Sequence, residues 1–151
     1  MLREAVGQLI GRVDAGAPNG TLAWEPTPVL PADYADELSR RSAQGRITVE
    51  TLALAPDGEV AAWTGVVVPP NAERAAEVEG TYVEPAHRGR GLGAAVKAAC
   101  LAHLRDPLRV HRVTTSSDDA NRWMRAINDL LGFRPVEVEA IFEARVHPTR
   151  R

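Results

Sequence analysis

Leu2, Val6, Leu9, Ile10 and Val13 recur at helical spacing and Gly16 follows as a stop, so the pattern predicts a helix over residues 2–14. Gly7 and Gly11 lower its intrinsic propensity. Residues 17–31 hold Pro18, Asn19, Gly20, Pro26, Pro28 and Pro31 and read as a loop. Asp33 can cap a second helix from about Tyr34 to Ala43, ended by Gly45. The period then changes from helical to alternating. Ile47, Val49, Thr51 and Ala53 alternate as in a strand. The turn Pro56-Asp57-Gly58 follows, and a second strand is predicted over 59–68 with Val60, Ala62, Thr64, Val66 and Val68 on one face. Pro69-Pro70-Asn71 ends this hairpin, and residues 77–83 form a third strand stopped at Pro85.

A Gly-rich turn over 88–93 opens a third helix with the apolar stripe Leu92, Val96, Ala99, Cys100 and Leu104, closed by Pro107. Residues 109–116 are the fourth predicted strand. Ser117 or Asp118 can cap a fourth helix, whose stripe is Met124, Ile127, Leu130 and Leu131, with Gly132 placed to end it. Two short strands, 133–138 and 140–146, are predicted to finish the chain, before a polar tail. The strand–helix–strand unit over 77–116 favours parallel pairing of its two strands. Together these elements predict an α/β fold with a mixed sheet and helices on both faces.

The 151 residues suit one domain, residues 1–151. A formal net charge of -2 argues against a nucleic-acid partner, which needs a basic surface. No run approaches the roughly 20 apolar residues of a membrane span, and the start of the chain does not read as a signal peptide. The single cysteine, Cys100, excludes an internal disulfide and fits a reducing, cytoplasmic setting. It sits on a helix stripe, where a core role is expected. His87, His103, His111 and His147 lack metal-ligand spacing, so no metal site is inferred. Trp24, Trp63 and Trp123 read as packing residues, although Trp24 and Tyr34 could line a pocket.

The stretch Thr81-Tyr82-Val83-Glu84-Pro85-Ala86-His87-Arg88-Gly89-Arg90-Gly91-Leu92-Gly93 carries the chemistry. Alternating glycines let the backbone turn tightly and bring its N–H groups close to a ligand. The first turn of the following helix adds unpaired donors and the positive end of a dipole, and Arg88 and Arg90 add charge. The sum is an anion site suited to a phosphate or pyrophosphate. Two other readings stay open. Gly-rich turns before helices are often only structural, and Gly89, Gly91 and Ala94 also satisfy Gly-x-Gly-x-x-Ala. With Asp118 as a ribose-binding acid, that pattern would suit a nucleotide-dependent oxidoreductase, but such a turn normally opens a doubly wound parallel sheet.

Val83 through Gly93, as Val-x-Pro-x-x-Arg-Gly-x-Gly-x-Gly, resembles the pyrophosphate loop of the GNAT acyltransferase superfamily. A second signature, Asn121, Met124, Asn128 and then Leu131-Gly132-Phe133-Arg134-Pro135, is similar to that family's in order and spacing. The resemblance covers roughly residues 47–140 and is greatest to actinobacterial GNAT domains. It implies a GNAT-like mixed, mostly antiparallel sheet with a splayed parallel strand pair. It implies acetyl-CoA as co-substrate and a small-molecule amine as acceptor. The pantetheine arm would bond the backbone near Val83, the pyrophosphate would rest on Arg88, Gly89, Arg90, Gly91, Leu92 and Gly93, and Asn121 would help hold the arm. The family normally begins with a strand and helix ahead of the helix predicted over 2–14, so the chain is expected to start late. Either the sheet is without its first strand or a partner supplies the edge, so a homodimer or companion domain is expected.

In this family an amine attacks the thioester directly, and positioning provides most of the catalysis. A backbone N–H on the Val83 strand would stabilise the oxyanion. Glu77 and Glu79 share a face with Thr81 and Val83 by period-two spacing, which makes either a candidate base, with Glu84 a weaker third. As plain alternatives, all three can be solvated charges and Asn121 a helix-surface amide. Many members use a tyrosine after the last helix to protonate the leaving thiolate. No tyrosine follows Tyr82 here, so that role is vacant. That vacancy and the short N-terminus motivate the alternative of a non-catalytic GNAT-like half that binds acyl-CoA or a partner protein.

Overall fold

The computed structural model describes residues 2–16, 30–70, 75–142 and 144. The predicted loop that carries Trp24, residues 71–74, and the end of the last predicted strand with its tail lie outside the described residues. Among the described residues there are four α-helices and four strands: α1 Leu2–Gly16, α2 Pro31–Ala43, β1 Ile47–Leu54, β2 Val60–Val68, β3 Ala75–Val83, α3 Leu92–Arg105, β4 Arg112–Thr115 and α4 Arg122–Leu130. The strands form one sheet in the order β1-β2-β3-β4. β1, β2 and β3 pair antiparallel, while β3 and β4 pair parallel. The expected α/β architecture is therefore observed.

Each face of the sheet carries its own core. Val6 and Leu9 of α1 and Tyr34 of α2 pack on Val60 and Trp63. Cys100 and Leu104 of α3 pack on Val66, Ala76 and Val78 across the other face. Because both faces are covered, β2 is buried over Val60–Val67 rather than on alternate residues. Gly7 weakens α1 as an isolated helix but lets α2 approach, since a Cβ there would lie 2.8 Å from the Pro31 Cα. α2 starts three residues before its expected start. Pro31 takes the first helical position, where its missing N–H costs nothing. Asp33 still serves that end, its Oδ2 accepting the Leu30 N–H at 3.2 Å.

Three other expectations change. β4 is confined to Arg112–Thr115 within the predicted 109–116. The α4 cap is Asn121, whose Oδ1 accepts the Met124 N–H at 3.1 Å, and not Ser117 or Asp118. Asp118 instead closes the preceding turn by accepting the Ala120 N–H. Residues 133–142, predicted as strand, have no regular structure, and Val136, Val138, Ile141 and Phe142 are exposed. Alternation marks a segment able to pair, but a strand exists only where a neighbour supplies the ladder. The far edge of β4 pairs with nothing among the described residues.

Candidate active site

β3 and β4 are bonded over Ala75–Val78 and Arg112–Thr115 only. β3 continues five residues past the last rung and β4 stops there, so a gap opens between them. This is the splayed parallel pair expected above. At Val83 the peptide plane reveals which side is open. The Glu84 N–H turns to the Ala61 carbonyl on β2 at 2.9 Å. The Val83 carbonyl of the same plane therefore points the other way, into the gap. It accepts the Arg88 Nε at 3.0 Å, and the Arg88 guanidinium lies over the Tyr82 ring. Arg88 is thus folded back on the mouth of the gap.

The glycine loop follows. A single 3-10 turn, Pro85–His87, leads into Arg88, and Gly89 and Gly91 then take φ of 75° and 74°. That left-handed region is open to glycine at little cost. A Cβ at either would meet nothing within 4 Å, so conformation rather than crowding selects glycine there. Gly93 differs, because a Cβ on it would lie 3.1 Å from Ile127 Cδ1 and 3.4 Å from Val83 Cγ2. It lets α3 and α4 close on the mouth of the gap. The Arg88 N–H donates to the Pro85 carbonyl at 3.3 Å, and the first helical bond of α3 runs from Ala95 to Gly91. Among the described residues, the six amides between them, Gly89 to Ala94, have no acceptor. Six donors at a helix start, with Arg90 exposed beside them, make a concentrated positive site.

The carboxylates are placed otherwise than the spacing predicts. Gly65 faces Gly80 across β2 and β3, but Val66 faces Val78, so Glu79 is an extra residue on β3. Such a bulge reverses the alternation on its far side. Ala76 and Val78 face α3 before it, and Thr81 and Val83 face α3 after it. Glu77 and Glu79 therefore lie on the opposite face, not with Thr81 and Val83. There Glu79 accepts Arg41 of α2 at 2.5 Å. Glu77 is exposed and unpaired among the described residues. Glu84 pairs with Arg12 of α1 at 2.7 Å. Asn121 spends its carbonyl on the α4 cap. Tyr34 is buried, donating its hydroxyl to Glu50, and Trp63 Nε1 donates to the same oxygen at 2.7 Å. Burial, first, and the Glu50 carboxylate both push the Tyr34 hydroxyl pKa upward.

Sequence reasoning missed Lys97, and gave Asn128 a place in the second signature without a role. Both are buried, and Lys97 Nζ donates to Asn128 Oδ1 at 2.6 Å and to Thr115 Oγ1 at 3.4 Å. The ammonium also lies 4.8 Å from the centre of the Phe133 ring. Burial pushes its pKa down from 10.5 to about 8. The available signal was positional, since Lys97 follows Gly93 by four residues and precedes Cys100 by three, on the buried stripe of α3.

The family profile described as "Acetyltransferase (GNAT) family" matches residues 20–133. The mycothiol acetyltransferase of Salinispora tropica is 38% identical over 84 residues, covering 54% of this chain and 27% of that protein. The chain thus spans about a quarter of the curated relatives it matches. A tandem GNAT protein from the clavulanic acid biosynthesis pathway superposes with a TM-score of 0.63 at 30% identity, over 70% of this chain and 33% of that one. AAC(6')-Iy in complex with the bisubstrate analogue CoA-S-monomethyl-acetylneamine shares the fold, with a TM-score of 0.66 at 19% identity, over 95% and 92% of the two chains. Glycine loop, splayed strands and profile agree, and the chain belongs to the acetyltransferase (GNAT) family.

Proposed function

We propose that this chain takes the acetyl group of acetyl-CoA and passes it to a small amine by direct attack of the amine on the thioester. The observation that carries this reading is the run of six amides without an acceptor among the described residues, from Gly89 to Ala94, set at the mouth of the β3–β4 gap. A diphosphate can take hydrogen bonds from several of them, while its pantetheine arm enters the gap along the open edge of β3. Arg88 and Arg90 neutralise the phosphate charge. The Val83 backbone, which faces the gap, bonds the arm, and Asn121 has its amide NH2 left to help. N–H groups on that same edge of β3 serve the oxyanion as the amine adds.

The amine must shed a proton before or during attack. We assign this to Glu77, exposed one rung before the ladder ends, since Arg41 occupies an oxygen of Glu79. The face assignment then requires the acceptor to approach from the side covered by α1 and α2.

Acetyl-CoA at about 100 times its dissociation constant is expected to stabilise the fold by about 2.7 kcal/mol, roughly 5–10 °C in Tm for a chain of this size. Gly91→Glu places a carboxylate where phosphate oxygens belong and is expected to abolish that shift. A shift with NAD and none with acetyl-CoA would reverse the reading. Release of free thiol across an amine library tests turnover. Tight cofactor binding with no turnover on any amine would favour a non-catalytic acyl-CoA-binding domain.

A further inference from the structure

We propose that Lys97 supplies the proton taken up by the coenzyme A sulfur when the thioester breaks. This rests on the acyl-transfer reading, and it concerns a residue at the closed end of the gap rather than at its mouth. α3 starts at the mouth of the gap and packs over β1, β2 and β3. Gly93 lies against Thr81 and Val83 at the open end, and Cys100 packs with Ala76 and Val78 beneath the paired end. Lys97 lies between them, at the level where the ladder stops. Its Nζ reaches Thr115 Oγ1, on the last rung, which pairs with Val78.

A lysine is costly here, as it is 1% exposed and sits where an apolar residue would continue the stripe. Its acceptors are an amide oxygen and a hydroxyl, and its third neighbour is the Phe133 ring. None of these cancels its charge. The charged groups on the packed elements point elsewhere. Glu50 of β1 faces Trp63 and Tyr34, Glu77 and Glu79 of β3 lie on the far face, and Arg112 of β4 with Arg122, Arg125 and Asp129 of α4 are exposed. An uncompensated cation at the end of the gap favours whatever anion forms there.

That anion is the thiolate. The amine nitrogen bonds to the carbonyl carbon, the C–S bond breaks and its electron pair stays on sulfur. Sulfur then takes a proton from Nζ, leaving a neutral amine that solvent reprotonates before the next turnover. The proton lost by the acceptor amine leaves separately, through the carboxylate. Burial tunes the donor well, since an ammonium with a pKa of about 8 passes a proton to a thiol of reference pKa about 8.5 at little cost.

The test is the pH profile of kcat for Lys97→Met and Asn128→Asp, with acetyl-CoA affinity measured alongside. Wild type is expected to lose activity above about pH 8, as the donor deprotonates. Lys97→Met is expected to lower kcat about 10²-fold with acetyl-CoA binding unchanged, and to lack that alkaline limb. Asn128→Asp keeps the lysine and the shape of the side chain but places a carboxylate beside Nζ, so the limb is expected to move up by at least one pH unit. This variant also covers failure of Lys97→Met to fold, and a purely structural lysine would not move the limb. Turnover with the limb unchanged in Asn128→Asp overturns the role of Lys97 while leaving acyl transfer intact. Absence of acetyl-CoA binding in wild type overturns the acyl-transfer reading itself.

Discussion

Trp63 shows how a single side chain dictates its neighbours. Its ring lies across the sheet, so that a Cβ on Gly65 would sit 2.4 Å from Cζ2 and one on Gly80 3.0 Å from Cζ3. Both glycines clear space for the indole, whose Nε1 reaches Glu50. Gly65→Ala is expected to destabilise the fold by about 1–3 kcal/mol, as overpacking does, seen as a lower denaturant midpoint at unchanged slope. Trp63 was legible as a packing residue. The role of Gly65 was not, because nothing along the chain says which side chain will lie over it. Lys97 was hidden for the opposite reason. A lysine in an apolar stripe reads as an exposed interruption until the surrounding elements close over it.

Elements were legible where a local rule decides them. The hairpin over Pro56-Asp57-Gly58, the glycine loop and the stop at Gly132, with φ 82°, all follow from glycines that take the left-handed conformation these turns require. Legibility ended where pairing decides. The Glu79 bulge follows from the register between β2 and β3, and it places Glu77 and Glu79 on the face that strict alternation excludes. Residues 133–142 alternate without a partner and stay irregular. At α4 the cap is testable on its own. Asn121→Ala is expected to cost about 1 kcal/mol in equilibrium denaturation. Asn121→Asp, which keeps the accepting oxygen, is expected to restore most of it. If the Asn121 amide also holds the cofactor arm, Asn121→Asp will regain stability without regaining acetyl-CoA affinity.

Over the whole molecule, stability should carry the signature of Lys97. Its pKa is near 8 when folded and near 10.5 when exposed. Below pH 8 both states hold the proton and the full cost of burying the charge applies. Between pH 8 and 10.5 the unfolded chain binds the proton and the fold does not, so this contribution rises with pH, by about 3 kcal/mol in all. Cys100, pushed up by burial, works the other way at alkaline pH, because the unfolded thiol ionises first, and so does Tyr34 at still higher pH. The clean measurement is therefore the difference between wild type and Lys97→Met, in which the other groups cancel. Wild type is expected to gain on the variant from pH 8 to 10.5. A flat difference would place the ammonium in water. By itself, the sequence determined the order of the elements and the glycine loop, because turns, caps and glycine conformations are set by residues a few positions apart. Tertiary structure decided which carboxylates face which layer, which apolar segments find a ladder, and that an ammonium ends beneath the strand gap. Burial, register and electrostatic environment exist only once distant segments meet.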